Sequence, residues 1–140
     1  MHKSHENSAS TPTCFILIDD DMVANMLAQM AVKRHFAQPV IHIFTNPADA
    51  VNFITEGEKY NTLPCTVFLD INMPILSGWD VLDKLEKIIN SGTTAFNIYI
   101  VSSSIDPDDK TRAAEHPLVK GYIEKPLTSQ LMQEVFARVE

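Results

Sequence analysis

Four short apolar runs of this chain end in residues that can do chemistry. CFILI runs into Asp19, Asp20 and Asp21, TVFL into Asp70, NIYIV into Ser102, and GYIE into Lys125. A carboxylate at the end of a buried-looking run is costly unless something pairs with it or coordinates it. Several carboxylates gathered in one place repel, and each favours its protonated form unless a cation intervenes. A hard, oxygen-liganded ion such as Mg²⁺ suits such a group, because it takes one or two carboxylates and keeps several waters. Ser102 offers a hydroxyl donor and Lys125 a mobile ammonium, both suited to a phosphoryl group. In that company Asp70 reads as a nucleophile able to form an aspartyl phosphate, with metal and lysine stabilising charge on the transferring group. No Gly-rich phosphate loop, Cys/His zinc spacing or GxSxG elbow competes with this reading.

Such a constellation needs elements that bring its members to one edge. From Cys14 onward, β-rich runs alternate with stretches of helical period. CFILI (14–18), VIHIF (40–44), TVFLD (66–70), NIYIVS (97–102) and the run inside KGYIEKP read as five strands. Near-continuous apolar runs of this kind fit strands covered on both faces. Between them lie five helical stretches. Asp21 is a candidate cap for the first, whose stripe is Met22, Val23, Met26, Leu27 and Met30. Pro47 opens the second, with Val51 and Ile54 inside. Trp79, Leu82, Leu85 and Ile89 mark the third, and Asp106-Pro107 starts a short polar fourth ending near His116-Pro117. Thr128 caps the last, with Leu131, Met132, Val135, Phe136 and Val139 inward. Five strands alternating with five helices indicate an α/β fold, a doubly wound parallel sheet with helices on both faces. Ligands of such sheets bind beyond the carboxyl ends of the strands, at the switch point. Adjacent strands lie about 4.8 Å apart. If strands one and three are neighbours, Asp20 and Asp70 can reach a common ion.

Size and charge bound the rest. At 140 residues, 45% hydrophobic and 21% charged, the chain reads as one globular domain with a real core. A formal charge of −7 with no Lys/Arg cluster argues against nonspecific nucleic-acid binding, leaving proteins or cations as expected partners. No apolar run is long enough to span a bilayer. MHKSHENSAS lacks the apolar middle of an export signal, so residues 1–13 read as a flexible polar tail and the location as cytoplasmic. The two cysteines, Cys14 and Cys65, open strands that would be neighbours. A disulfide is conceivable there, but buried free thiols are the expectation in a reducing cell.

FILIDDD, VFLDINMPILSG, IVSSS and GYIEKPLT, in that order, resemble the receiver domain of two-component response regulators. The resemblance covers 14–140. It implies a CheY-like, flavodoxin-like sheet of order 2-1-3-4-5. It also implies that Asp70 is the phosphoacceptor, Asp20 a direct Mg²⁺ ligand, Asp19 a ligand through water, and Asn72 a ligand through its backbone carbonyl. Ser102 matches the family's switch hydroxyl, Lys125 its invariant lysine and Tyr122 its rotating aromatic, and Lys125-Pro126 resembles its cis peptide. The implied reaction is transfer of phosphate from a sensor histidine kinase or histidine phosphotransfer protein, followed by slow hydrolysis. The domain would promote its own phosphorylation and dephosphorylation without being an enzyme in the turnover sense. Its downstream target would be a protein meeting the face of helix four, strand five and helix five, with no nucleic acid or membrane involved. Because the sequence stops after the fifth helix, a stand-alone receiver is the expectation. Two stretches depart from the family pattern: AAEHPLVKG before the fifth strand, and Ser103-Ser104 after Ser102.

Two other readings stay open. One is a Mg²⁺-dependent phosphohydrolase with an aspartate nucleophile, disfavoured because Asn72 stands where those enzymes carry a second Asp. The other is a degenerate receiver used as a scaffold, disfavoured by the full acidic, hydroxyl and lysine set. Among the remaining residues, Met22, Met26 and Met30 are expected in the core and Trp79 in packing, while His2 and His5 are assigned nothing.

Overall fold

A computed structural model describes residues 14–59, 64–89 and 96–137. The chain runs β1 (Cys14–Ile18), α1 (Met22–His35), β2 (Val40–Phe44), α2 (Pro47–Lys59), β3 (Cys65–Leu69), α3 (Gly78–Ile88), β4 (Phe96–Ser102), α4 (Pro107–Glu115), β5 (Val119–Glu124) and α5 (Ser129–Ala137). The strands form one parallel sheet in the order β2-β1-β3-β4-β5. The expected doubly wound, flavodoxin-like order is therefore present, and β1 and β3 are neighbours.

Period-two alternation divides the strands between two cores. Ile16, Ile18, Val67, Leu69, Ile98 and Ile100 face one side, against Ala50 and Ile54 of α2 and Val81, Leu82 and Leu85 of α3. Phe15, Leu17, Phe68, Val101 and Ile123 face the other, against α1 and α5. There Phe15 stands with Phe36, Phe68 and Phe136, at ring-centroid distances of 5.1, 6.2 and 6.3 Å. A sheet covered on both faces explains why its central strands read as unbroken apolar runs.

Two expectations are overturned here. The methionine stripe of α1 is not core: Met22, Met26 and Met30 are 51%, 54% and 48% exposed, and Val23 and Leu27 lie out with them. The opposite face of the helix, Asn25, Ala28, Ala31 and Val32, is buried instead. Small alanines let the α1 backbone come close to the sheet, where methionines would hold it away. The second correction concerns Cys14 and Cys65. They are register partners across β1 and β3, and the structure pairs them in a disulfide. Parallel in-register pairing puts their Cα atoms 4.6 Å apart, within disulfide reach.

The tail expected over residues 1–13, with His2 and His5, lies outside the described residues, as does Val139. Among the described residues no helix is long and apolar enough to cross a membrane.

Candidate functional site

The sheet ladder continues one residue beyond β1 and β3, and this is what fixes the acids. Asp19 N–H donates to the Phe44 carbonyl at 3.1 Å, and Asp70 N–H donates to the Ile18 carbonyl at 2.9 Å. Both residues are buried, whereas Asp20 faces solvent. Carboxylate oxygens of Asp19, Asp20 and Asp70 come within 4.8 Å of one another. Lys125 is brought in from the other side of β3, its N–H donating to the Ser102 carbonyl at 2.9 Å. Its Nζ lies 2.6 Å from Asp19 Oδ2 and 3.6 Å from Asp70 Oδ1. The Lys125-Pro126 peptide is cis.

Electrostatics follow from this crowding. Burial, and then the charge of Asp19, push the Asp70 carboxyl up to about 6, against the opposing pull of Lys125 and the Asn72 N–H. Burial alone would lower the pKa of Lys125. The hydrogen bond and charge of Asp19, with Asp70 and Asp21 behind it, raise it above its ordinary value, so the ammonium stays charged. Three oxygen-bearing acids, one of them driven towards protonation by burial and by its neighbours, form the donor set a hard divalent cation relieves. The residues fit Mg²⁺.

Around this centre the structure places the other expected residues. Asn72 N–H donates to Asp70 Oδ1 at 3.3 Å, and Asn72 Nδ2 reaches Ser102 Oγ at 3.5 Å. Ser102, fully buried at the end of β4, also accepts the Ser104 N–H at 3.1 Å. The extra Ser104 is put to use, since its Oγ donates to Asp109 Oδ2 at 2.6 Å and ties the loop to α4. Tyr122 is brought near the site but not into it. Its hydroxyl donates to the Ser104 carbonyl at 2.8 Å, which links β5 to the loop after Ser102. Asp21 caps α1 as expected, accepting the Val23 N–H at 2.9 Å. A cavity of about 370 Å³ opens beside Asp19, Asp70 and Lys125, walled by Val23, Leu27 and Pro126.

Three contributors were not found from sequence. Gly78 opens α3 so close to the Asp70 backbone that a Cβ there would sit 2.5 Å from the Asp70 carbonyl oxygen. Ser77 and Asp80 form a capping box that starts α3 and ends the loop, and the S-x-x-D spacing could have revealed it. Asn25, buried in α1, donates from Nδ2 to the Asp19 carbonyl at 2.8 Å, and no local pattern points to it.

Comparison with known proteins agrees with this geometry. The profile described as "Response regulator receiver domain" matches residues 15–137. Two curated relatives are similar. A hybrid signal transduction histidine kinase I of Dictyostelium discoideum is 27% identical over 117 residues, 84% of this chain but 6% of that protein. A probable methanogenesis regulatory protein, FilR2 of Methanothrix harundinacea, is 23% identical over 94% of this chain and 84% of its own length. Among solved structures, a two-component response regulator from Cytophaga hutchinsonii is 28% identical with a TM-score of 0.80, covering 90% of this chain and 95% of that one. A receiver protein from Dyadobacter fermentans shares the fold at 17% identity and a TM-score of 0.76, over 89% and 95% of the two chains. Acids, lysine and hydroxyl stand at adjoining strand ends of a sheet of this order, and the chain belongs to the response regulator receiver domain family of two-component signalling.

Proposed function

We propose that residues 14–140 act as a phosphorylation-operated receiver that accepts a phosphoryl group on Asp70. The observation that carries this reading is the convergence of the Asp19, Asp20 and Asp70 oxygens within 4.8 Å, with Lys125 reaching both Asp19 and Asp70. A carboxylate oxygen of Asp70 attacks phosphorus, the P–N bond of a donor phosphohistidine breaks, and the departing imidazole keeps the electron pair and takes up a proton. Lys125, already charged beside Asp70, binds an equatorial phosphoryl oxygen. Ser102 Oγ accepts N–H groups from Asn72 and Ser104, so its own O–H is what it offers a second oxygen. Asp19, Asp20, Asp70 and the Asn72 carbonyl would hold Mg²⁺, which supplies charge neutralisation on the transferring group. The same residues serve the later hydrolysis, so the protein assists its own phosphorylation and dephosphorylation.

The donor is a sensor histidine kinase or a histidine phosphotransfer protein. Support for a protein donor comes from the rim of the site. Met22, Val23, Met26 and Leu27 of α1, Ile75 at 95% and Ile105 at 75% exposure leave apolar surface around a polar centre. Exposed apolar surface gathered beside a functional centre marks a protein interaction site. The output face is α4, β5 and α5. Phosphorylation places a nearly dianionic group and its oxygens at Asp70. Ser102 turns towards them, the Ser104 loop follows, and Tyr122, bonded to the Ser104 carbonyl, changes position with it.

Acetyl phosphate with Mg²⁺, followed by intact mass measurement, tests the reading. One phosphoryl adduct, lost in Asp70→Asn and on metal chelation, is the expected result. Absence of any adduct in the parent protein rejects the receiver function, and steady phosphate release from small monoesters points to the phosphohydrolase instead. Ser102→Ala is expected to keep the adduct while partner binding loses its preference for the phosphorylated form, read by pull-down with and without acetyl phosphate.

A further inference from the structure

We infer that Asn25 is a positioning residue for the acidic centre, acting through the backbone between Asp19 and Asp20; this rests on the receiver reading above. Asn25 lies one turn inside α1 and is 1% exposed, so a polar amide there is costly unless it is bonded. Its Nδ2 donates to the Asp19 carbonyl at 2.8 Å. That carbonyl belongs to the peptide unit joining Asp19 to Asp20, just past the end of β1, where no strand partner is left to orient it. The other contacts of Asp19 hold different atoms: its N–H goes to Phe44, Oδ1 accepts from Asp21 N–H, and Oδ2 meets Lys125. Of these, only the Oδ1–Asp21 N–H bond spans the 19–20 peptide, and none holds its carbonyl oxygen. Asp20 is exposed, and among the described residues no hydrogen bond or ion pair holds its side chain, so the direction of its carboxylate follows from the plane of that peptide. The buried amide of Asn25 thus holds the carbonyl of the peptide that carries Asp20. A residue in this position changes how well the three acids share a cation, without touching the cation or the phosphoryl group itself.

Asn25→Leu removes the donor while keeping the branched shape, and Asn25→Ala does so with a strong helix former in case the bulkier leucine variant does not fold. Val32→Ala, also buried in α1 but turned to the aromatic core, serves as the stability control. Mn²⁺ binding, read by electron paramagnetic resonance, and Mg²⁺ binding, read by calorimetry, are compared across the set. Partners one step removed from a metal alter its affinity by about tenfold or more. The Asn25 variants are expected to bind either ion at least about fivefold more weakly, with phosphorylation by acetyl phosphate slowed at low Mg²⁺ and restored at saturating Mg²⁺. Val32→Ala should lose melting temperature and keep its affinity. Parent-like ion affinity in a folded Asn25 variant, or an equal loss in Val32→Ala, overturns the positioning role while leaving the receiver reading intact. A parent protein that binds neither ion overturns both.

Discussion

At the scale of single residues, Asp70 carries two opposed demands. In the proposed role of nucleophile it must be ionised, yet burial and Asp19 favour its protonated form. Without metal, the folded protein near pH 5 holds a proton at Asp70 that the unfolded chain has already released. Stability is therefore lost as pH rises through about 6, the folded-state value. Asp70→Asn has no such penalty. In the presence of a chelator its melting temperature should exceed the parent's at pH 7.5, with the gap closing towards pH 4. A gap that widens towards acid would mean that Asp70 is held ionised rather than protonated. Added Mg²⁺ should stabilise the parent much more than Asp70→Asn, because only a ligand-bearing fold gains from mass action. Gly78 belongs to this scale as well. Its missing side chain is what lets α3 begin against the Asp70 carbonyl. Gly78→Ala must shift the loop backbone, at a cost of about 1–3 kcal/mol, measurable by urea denaturation. It should also slow phosphorylation, whereas an equally destabilising core variant such as Val32→Ala should not.

At the scale of elements, α4 stands apart. It buries one side chain, Ala113, while its first turn carries Asp108 and Asp109. It is held instead by contacts at its edges. Lys110 pairs with Glu124 of β5, the Arg112 guanidinium lies 4.3 Å from the Trp79 ring centroid, and Ser104 bonds Asp109. Just past its end, His116 Nε2 lies 3.5 Å from Glu86 Oε1. His116 Nδ1 accepts the Leu118 N–H at 3.2 Å, which leaves the proton on Nε2, facing that carboxylate. Elements with few buried apolar contacts open at low free energy. Arg112→Ala should therefore raise amide hydrogen exchange across 107–115 while costing about 0.5–1 kcal/mol or less globally. Exchange that rises equally in α3 and α4 would show that they open as one unit. Trp79 packs against the core, as the sequence predicts, and its ring is also the platform for this clasp.

For the whole molecule, the sheet separates chemistry from closure. The acids and Lys125 lie at the carboxyl ends of the strands, and Cys14–Cys65 lies at the amino ends of β1 and β3. The disulfide encloses a sequence separation of 51, for which loop entropy gives at most about 4 kcal/mol. Reduction, or Cys14→Ser with Cys65→Ala, should lower the urea midpoint without changing acetyl phosphate labelling of Asp70. A large loss of labelling in a protein that is still folded would show that the two ends of the sheet are coupled.

Much of this molecule is legible in its linear order. The apolar runs and the residues that end them determine five strands, a parallel α/β sheet, and a row of Asp, Ser and Lys at its carboxyl edge. This works because strand period and turn chemistry are local, and because right-handed crossovers leave few topologies. What only the tertiary structure decided is what depends on approach between distant segments. The apolar stripe of α1 and its small-residue stripe both fit a helix, and the close fit of Ala28 and Ala31 to the sheet determines which one is buried. Register across β1 and β3, set by hydrogen bonds between residues some fifty apart, brings the cysteines together. The roles of Asn25 and Gly78 likewise exist only once a carbonyl from another element lies against them, a contact that no spacing along the chain encodes.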